Sequence, residues 1–248
     1  MSHYRTDLQI LRGFAVIFVV FYHLEIFGFQ NGFLGVDLFF VLSGYFMAIL
    51  CNKTTFSEFY IRRFYRLAPA YFVTILITSL IVILISIPVD SKQVFNQLLF
   101  DLIGLSNIGI WLESSYFNYI YFRPLLHLWS LGVEIQFYLI APFLLPFLQK
   151  RKFLLIIILF LSLITSLFIL TYSPKTSFFM MPTRLWEFLL GAYIAWHPLK
   201  NFSESQKKKY SYISFLILLF VILKYPIKST AGSIFVGHPG IASIIVVF

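Results

Sequence analysis

The first long apolar stretch of this 248-residue chain contains two ionisable side chains, Arg12 and His23. Ionisable residues inside apolar segments of membrane length are costly and mark functional sites by default. On an α-helix, their spacing places both side chains on one face, about 16 Å apart along the axis. His23 can exchange a proton near neutral pH, whereas the guanidinium of Arg12 stays charged. The pair therefore has the chemistry of a base and a cationic anchor.

A carboxylate lies near the start of the next apolar stretch, at Asp37. The connection between the two stretches is short, so a hydrogen bond between Asp37 and His23 is geometrically available. Such a bond would fix the imidazole tautomer and raise its basicity, as the acid of a hydrolase triad does. We predict that Asp37 orients His23. For the small residues Gly35, Ser43 and Gly44 in the same stretch, helix packing is the favoured interpretation.

Another carboxylate, Glu134, lies about a third of the way into a later apolar stretch. An unpaired carboxylate there costs at least about 2.5 kcal/mol, so Glu134 needs a partner. Arg12 and His23 are the candidates, and we include Glu134 among the predicted catalytic residues. Arg184 and Glu187 are spaced i,i+3, and a local salt bridge is the favoured interpretation of that pair.

Three arginines, Arg62, Arg63 and Arg66, form a cationic patch if their segment is helical, because they are spaced i,i+3 and i,i+4. Aromatic residues flank them on both sides. One interpretation is contact with anionic lipid and control of topology. The other is a site for a cytosolic phosphate-bearing ligand, since arginine binds phosphate in a bidentate manner and aromatic rings can stack on a nucleotide base.

The elements that must position these residues are membrane helices. The chain is 60% hydrophobic and 12% charged, whereas about a quarter of the residues of soluble domains are charged. Eight apolar runs approach or exceed the length of a spanning helix: 8–27, 33–51, 71–89, 125–148, 153–172, 180–199, 210–223 and 234–248. We predict an all-α, polytopic transmembrane bundle of about eight spans. The weaker run 97–112 is predicted to be a re-entrant or interfacial segment. If it crossed the membrane, the later cation-rich loops would lie on the opposite side from the earlier ones.

The net charge of +9 is explained by topology, without a nucleic-acid partner. Loops assigned to one side hold twelve cations: Arg5, Lys53, Arg62, Arg63, Arg66, Lys150, Arg151, Lys152, Lys200, Lys207, Lys208 and Lys209. The opposite side holds six: Lys92, Arg123, Lys175, Arg184, Lys224 and Lys228. This bias places the amino terminus in the cytoplasm. The single cysteine, Cys51, excludes an internal disulfide and has no evident metal partner, so we predict no metal site.

Five motifs in order along the chain resemble those of the acyltransferase 3 family, bacterial membrane O-acyltransferases that modify cell-envelope glycans. LQILRGFAVIFVVFYH resembles the family signature of an arginine, ten residues and a histidine, at Arg12 and His23. GFLGVDLFFVLSGY resembles the second-helix motif, and YIRRFYRLAPAY resembles the Arg-x-x-Arg motif at Arg63 and Arg66. HLWSLGVEIQFYL and RLWEFLLGA resemble later blocks. One acyltransferase-like domain, 1–248, is therefore expected, in the plasma (inner) membrane of a bacterium.

The resemblance implies transfer of an acyl group, commonly acetyl from cytosolic acetyl-CoA, to a hydroxyl on the far side of the membrane. Arg12, Arg62, Arg63 and Arg66 would then bind the acyl-CoA, and His23 would act as the general base. The partners expected are membrane lipid, acyl-CoA and a glycan or other hydroxyl acceptor. Family domains have about ten helices, and the chain stops within an apolar run, so a carboxy-terminal truncation is expected.

Two other functions remain open from the sequence. A transporter or lipid flippase could use Arg12, His23 and Glu134 to line a polar path and the arginines to bind lipid head groups. A truncated, non-catalytic fragment is the third alternative. Consumption of a thioester with release of free CoA separates the enzyme from the transporter.

Overall fold

A computed structural model describes residues 6–85, 88–113, 123–198, 203–224 and 237–247 of the chain. All regular elements of these residues are helical, in agreement with the predicted fold class. In chain order they are α1 (Thr6–His23), a 3₁₀ turn (Gly32–Leu34), α2 (Gly35–Cys51), α3 (Phe56–Ile85), α4 (Pro88–Leu102), α5 (Ser106–Leu112), α6 (Leu128–Gln149), α7 (Lys152–Tyr172), α8 (Pro174–Phe179), α9 (Met181–Trp196), α10 (Glu204–Lys224) and α11 (Ile241–Val247).

Helix α2 lies at the centre of the bundle, in contact with α1, α6, α9 and α11. Of the residues in its span, 67% are buried, compared with 11% in α1. Glycines allow α2 and α9 to approach at backbone distance. A Cβ atom on Gly44 would lie 2.0 Å from the carbonyl oxygen of Phe188, and one on Gly191 would lie 1.9 Å from that of Val41. Gly44 therefore has the packing role expected of it, and so does Gly35, where an added Cβ would lie 2.3 Å from the carbonyl oxygen of Ala15. Ser43, for which packing was also predicted, instead donates a hydrogen bond to Glu134.

An aromatic core fills the space between α2, α6 and α9. The ring of Phe188 stacks on Phe40, with centroids 4.8 Å apart, and on Phe137, with centroids 4.2 Å apart. All three rings are almost completely buried. Because α2 and α6 also carry Asp37, Ser43 and Glu134, this rigid packing fixes the positions of the polar side chains between the helices.

The weak apolar run 97–112 forms the end of α4, a turn and α5, not one continuous helix. The turn contains Gly104 at φ +74°, in the left-handed region that favours glycine. In this segment, the side-chain amide of Asn107 donates to the carbonyl of Phe179 at 3.0 Å and its oxygen accepts from Gln136 at 2.8 Å. Irregular backbone at membrane depth requires such partners from the protein.

Five described helices are long and apolar enough to cross a membrane, by length and composition alone: Thr6–His23, Gly32–Cys51, Phe56–Ile85, Leu128–Gln149 and Lys152–Tyr172. This is fewer than the eight spans predicted. The run 180–199 corresponds to α9, which has only 16 residues. The run 210–223 corresponds to the second part of α10, whose first turns are charged. The run 234–248 lies partly outside the described residues.

The distribution of cations needs one correction. Arg184, counted with the outer loops, is completely buried within α9 and is no loop residue. Arg5, Lys200 and Lys228 lie outside the described residues, as do the side chains of Lys92 and Lys207.

Candidate functional site

The carboxylate of Glu134 is at the centre of a buried polar cluster between α2 and α6. It accepts hydrogen bonds from the hydroxyls of Ser43 on α2 and Tyr138 on α6. Neither partner was predicted from the sequence, although Tyr138 lies one helical turn from Glu134, where side chains meet. The guanidinium carbon of Arg63 lies 5.9 Å from the centre of the Tyr138 ring. An acidic group and a phenol from α6, a hydroxyl from α2 and a cation from α3 therefore meet at one place.

Arg12 approaches the same cluster from α1. Its guanidinium lies over the rings of Phe39, at 4.8 Å, and Phe46, at 5.5 Å. It interacts electrostatically with Glu134 and also with Arg66 on α3. Of the two partners proposed for Glu134, the structure therefore brings Arg12 close. Arg12 stabilises the buried carboxylate through its charge. The direct hydrogen bonds to this carboxylate come from Ser43 and Tyr138.

The arginine patch of α3 is divided between two environments. Arg63 is half-buried and interacts electrostatically with Glu134, and the charge of Arg66 acts on both Arg63 and Arg12. The Nε atom of Arg63 is buried without a hydrogen-bond partner among the described residues. Arg62 is exposed, and no contact links it to the cluster in the described part of the chain. We call Arg12, Arg63, Arg66, Glu134 and Tyr138 the arginine–glutamate cluster.

His23 lies at the opposite end of α1 from this cluster and is exposed. Its ring contacts Tyr22, with centroids 5.2 Å apart. It also interacts electrostatically with His127, just before α6. Loss of hydration, and then the nearby His23, lower the pKa of His127 from its ordinary value of 6.5. Two histidines that can accept protons therefore lie at the mouth of the bundle, and no pattern in the sequence relates them.

The predicted hydrogen bond between Asp37 and His23 is absent from the structure. Asp37 instead binds Arg184 on α9, and its Oδ2 atom lies 2.9 Å from Nε2 of His238. The carboxylate is completely buried between them. A buried carboxylate is most stable next to a cation and a donor, and Arg184 and His238 offer both. The histidine paired with Asp37 was missed because it is 201 positions away in the chain and no periodicity relates the two.

Arg184 joins Asp37 to a second carboxylate. Its Nη1 atom lies 3.2 Å from Oε1 of Glu187, so the predicted i,i+3 ion pair is present. The ring of Phe33 packs against His238, with centroids 4.8 Å apart. We call Asp37, Arg184, Glu187 and His238 the buried ionic cluster. None of the four is more than 1% exposed, which closes them to a substrate in this conformation. The cluster fastens α2, α9 and residues 237–247 together.

Two cavities border these elements. One of about 320 Å³ lies between α3, the Gly104 turn and α6, and its lining includes Arg63, Tyr71 and Tyr138. The other, of about 500 Å³, lies between the α2–α3 connection and the carboxy-terminal half of α6. Within the described residues, no group of three or more histidine, cysteine or acidic side chains could hold a metal ion.

Comparison with known proteins identifies similar sequences. The model of a family described as an acyltransferase domain matches residues 5–248. The chain is 34% identical over 224 residues to the O-acetyltransferase OatA of Staphylococcus aureus (strain NCTC 8325 / PS 47), a match covering 83% of this chain and 37% of OatA. It is 31% identical over 247 residues to SAS0844 of S. aureus (strain MSSA476), also named for O-acetyltransferase activity, covering 88% of this chain and 41% of that protein. The chain thus spans well under half the length of these relatives. No solved structure matches it.

Proposed function

Since this chain belongs to the acyltransferase 3 family, we propose that it moves an acyl group from cytosolic acyl-CoA to a hydroxyl of an extracytoplasmic glycan. The relatives are named as O-acetyltransferases, which favours acetyl as the group transferred. The excess of cations in alternate loops favours an amino terminus in the cytoplasm of a bacterium, with the chain in the plasma membrane.

The arginine–glutamate cluster is the proposed site of the acyl donor. CoA carries a pyrophosphate and a 3′-phosphate, and guanidinium groups bind phosphate through paired, charge-assisted hydrogen bonds. Arg63 and Arg66 would hold these phosphates, and the unpartnered Nε atom of Arg63 supplies one donor. Arg12 lies next on the path from α3 into the bundle and would guide the thioester arm inward. Arg62, which is exposed, would attract the anionic donor over a longer range.

His23 is the proposed general base. It would take the proton of the acceptor hydroxyl while the oxygen attacks the thioester carbonyl carbon. Collapse of the tetrahedral intermediate would break the carbon–sulfur bond, and the CoA thiolate would leave and take up a proton. Glu134 would hold the arginines and Tyr138 in place. Asp37 would keep α2 and α9 in register through Arg184, because its pairing with Arg184 and His238 removes it from His23.

The observation that carries this proposal is the convergence of Arg12 and Arg63 on one buried carboxylate–phenol pair, with the charge of the exposed Arg66 acting on both arginines. Three cations outnumber the single carboxylate in the cluster, which leaves positive charge to bind an anion. Arginines that only packed against lipid would not need this excess of positive charge.

Incubation of the purified protein with acetyl-CoA radiolabelled in the acetyl group and with envelope glycan tests the proposal. We expect label in the glycan, base-labile as an ester, with an equal amount of free CoA. Movement of a lipid or solute without release of CoA would instead identify a transporter.

A further inference from the structure

The cavity of about 500 Å³ beside the α2–α3 connection has the dimensions of a small-ligand site. Its lining combines a few hydroxyl groups with apolar and aromatic side chains: Cys51, Thr54, Thr55, Phe56, Phe59, Pro142, Phe143 and Pro146. This is the composition typical of sites for planar organic ligands, in which apolar walls supply contact area and a few polar groups fix orientation.

Aromatic rings form the rim of this cavity. Phe56 and Phe143 stack on each other, with centroids 4.9 Å apart and an angle of 25° between the rings. They are 54% and 63% exposed, so ring surface remains open on the cavity side. Phe59 is buried beneath them and forms part of the floor. An exposed ring pair above a buried floor can stack a flat heterocycle, because every nucleotide base has a π-face.

Two threonines supply the polar groups. The hydroxyl of Thr54 donates to the carbonyl of Leu50 at 2.9 Å, which leaves its oxygen lone pairs as acceptors. The oxygen of Thr55 accepts from the backbone N–H of Glu58 at 3.4 Å, which leaves its own O–H as a donor. An acceptor and a donor side by side match the amino group and ring nitrogen of adenine.

Two cations, Arg63 and Lys150, lie one helical turn from residues that line the cavity. Arg63 lies one helical turn beyond Phe59 on α3 and interacts electrostatically with the Cys51 thiol on the cavity wall. Lys150 follows Pro146 by one turn at the end of α6. An anion attached to a ligand in the cavity would therefore meet positive charge, and Arg63 would connect this region to the arginine–glutamate cluster.

We propose that this cavity binds the adenine of the CoA donor, whose phosphates are held by Arg63 and Arg66. The inference rests on the proposed function and adds a separate subsite to it. A hydrocarbon tail would fit the phenylalanines, but it would use neither the remaining hydrogen-bonding capacity of the two threonine hydroxyls nor the positive charge beside the cavity.

Direct binding tests the subsite without any need for turnover. The probe is radiolabelled adenosine 3′,5′-bisphosphate, measured by equilibrium dialysis against the full, detergent-solubilised chain. We expect saturable binding that Phe143→Ala weakens about tenfold, the order of loss when an aromatic ring under a base is removed. Phe143→Trp, which keeps an aromatic wall, should bind like the wild type. Phe160→Ala, an exposed phenylalanine of α7 outside the cavity, is the matched control and should not change the affinity.

Turnover with two donors separates the subsite from the function. In Phe143→Ala, the ratio of kcat/KM for acetyl-CoA to kcat/KM for S-acetyl-pantetheine, which has no nucleotide, should fall about tenfold. Equal losses for the two donors, or no loss for either, would overturn the adenine subsite. Displacement of the bisphosphate by phospholipid vesicles but not by acetyl-CoA would overturn it in favour of a lipid site. Binding of the bisphosphate that depends on Phe143, without any acetyl transfer, would leave the subsite standing and refute the proposed function.

Discussion

Asp37 on α2 and His238, near the end of the chain, share a hydrogen bond of 2.9 Å, and the same carboxylate binds Arg184 on α9. These side chains are buried where the rest of the environment is aromatic and aliphatic. A buried ion pair contributes little net stability, but a buried charge that has lost its partner is costly. The folded bundle therefore depends on keeping every member of this cluster paired.

Asp37→Asn should destabilise the protein by about 3–5 kcal/mol, because it leaves the Arg184 guanidinium buried beside an amide. Arg184→Gln should lose at least as much, because it leaves two buried carboxylates, Asp37 and Glu187, without the cation that they share. Chemical denaturation in detergent, followed by tryptophan fluorescence, measures both. Equal stability of Asp37→Asn and the wild type would show that the ion pair has no structural role.

The close contact between α2 and α9 gives a second prediction. Gly44→Ala and Gly191→Ala each place a methyl group within 2.0 Å of a backbone oxygen, so the helices must separate. Each should lower stability by about 1–3 kcal/mol or more, the usual cost of overpacking. Gly13→Ala is the matched control, because an added Cβ meets no atom within 4 Å there. A melting temperature of Gly44→Ala equal to that of Gly13→Ala would contradict the helix packing described.

His23→Ala should lower the rate of acetyl transfer by about 100-fold to 10,000-fold, the usual contribution of a positioned base. His127→Ala should cause a much smaller loss, because within the described residues His127 has no hydrogen bond to His23 and only an electrostatic interaction relates the two rings. Initial rates with radiolabelled acetyl-CoA measure both, and unchanged melting temperatures exclude misfolding. Full activity of His23→Ala, or equal losses in the two variants, would remove His23 as the base.

Neighbouring arginines on α3 should behave differently. Arg63→Gln removes the guanidinium that lines the cavity between α3, the Gly104 turn and α6 and that interacts with Glu134. We expect the Kd for acetyl-CoA to rise at least about tenfold, because the charge-assisted bonds from this guanidinium to phosphate are lost. Arg62→Gln removes an exposed charge and should produce a smaller change that vanishes at high salt. Equilibrium dialysis at two ionic strengths distinguishes them. Identical effects of the two substitutions would argue for diffuse attraction without a built phosphate site.

The pH dependence of stability should include a contribution from Asp101 on α4, outside the five candidate spans. Burial, reinforced by nearby Glu113, raises the pKa of Asp101 from 3.8 to about 6. Between these values the folded chain binds a proton that the unfolded chain has lost, so this contribution to stability is complete below pH 3.8 and is lost as the pH rises to about 6. The loss is roughly 3 kcal/mol.

Asp101→Asn should therefore melt at a higher temperature than the wild type at pH 7, and the difference should shrink as the pH falls toward 4. Thermal unfolding in detergent across that range measures it. A difference between the two proteins that does not depend on pH would show that Asp101 keeps an ordinary pKa.

Much of the architecture can be predicted from the sequence, because the length of an apolar run identifies a membrane helix without knowledge of its neighbours. The expectation that Glu134 needs a cation nearby follows from the cost of a carboxylate in hydrocarbon, and the structure brings Arg12 close. The i,i+3 ion pair of Arg184 and Glu187 can also be predicted from the sequence, because both residues belong to one helix.

Contacts between distant parts of the chain could not be read in the same way. Asp37 and His23 are close in sequence, but the last turn of α1 leaves His23 exposed while α2 turns Asp37 toward α9. The real partner, His238, lies beyond eight further helices, and only tertiary packing selects it. Three of the eight predicted spans are not confirmed, because α9 has 16 residues, the first turns of α10 are charged, and the run 234–248 lies partly outside the described residues.

The guanidinium of Arg12 rests on the faces of Phe39 and Phe46 without a hydrogen bond or ion pair within 4 Å in the described part of the chain. Among the described residues its five N–H donors therefore have no hydrogen-bond acceptor, although the planar group is held over two aromatic rings. An arriving anion would have no existing bond to displace and little side-chain freedom to restrict. Capture at this position would then be fast and readily reversible, as suits a carrier molecule that must depart once it has delivered its cargo.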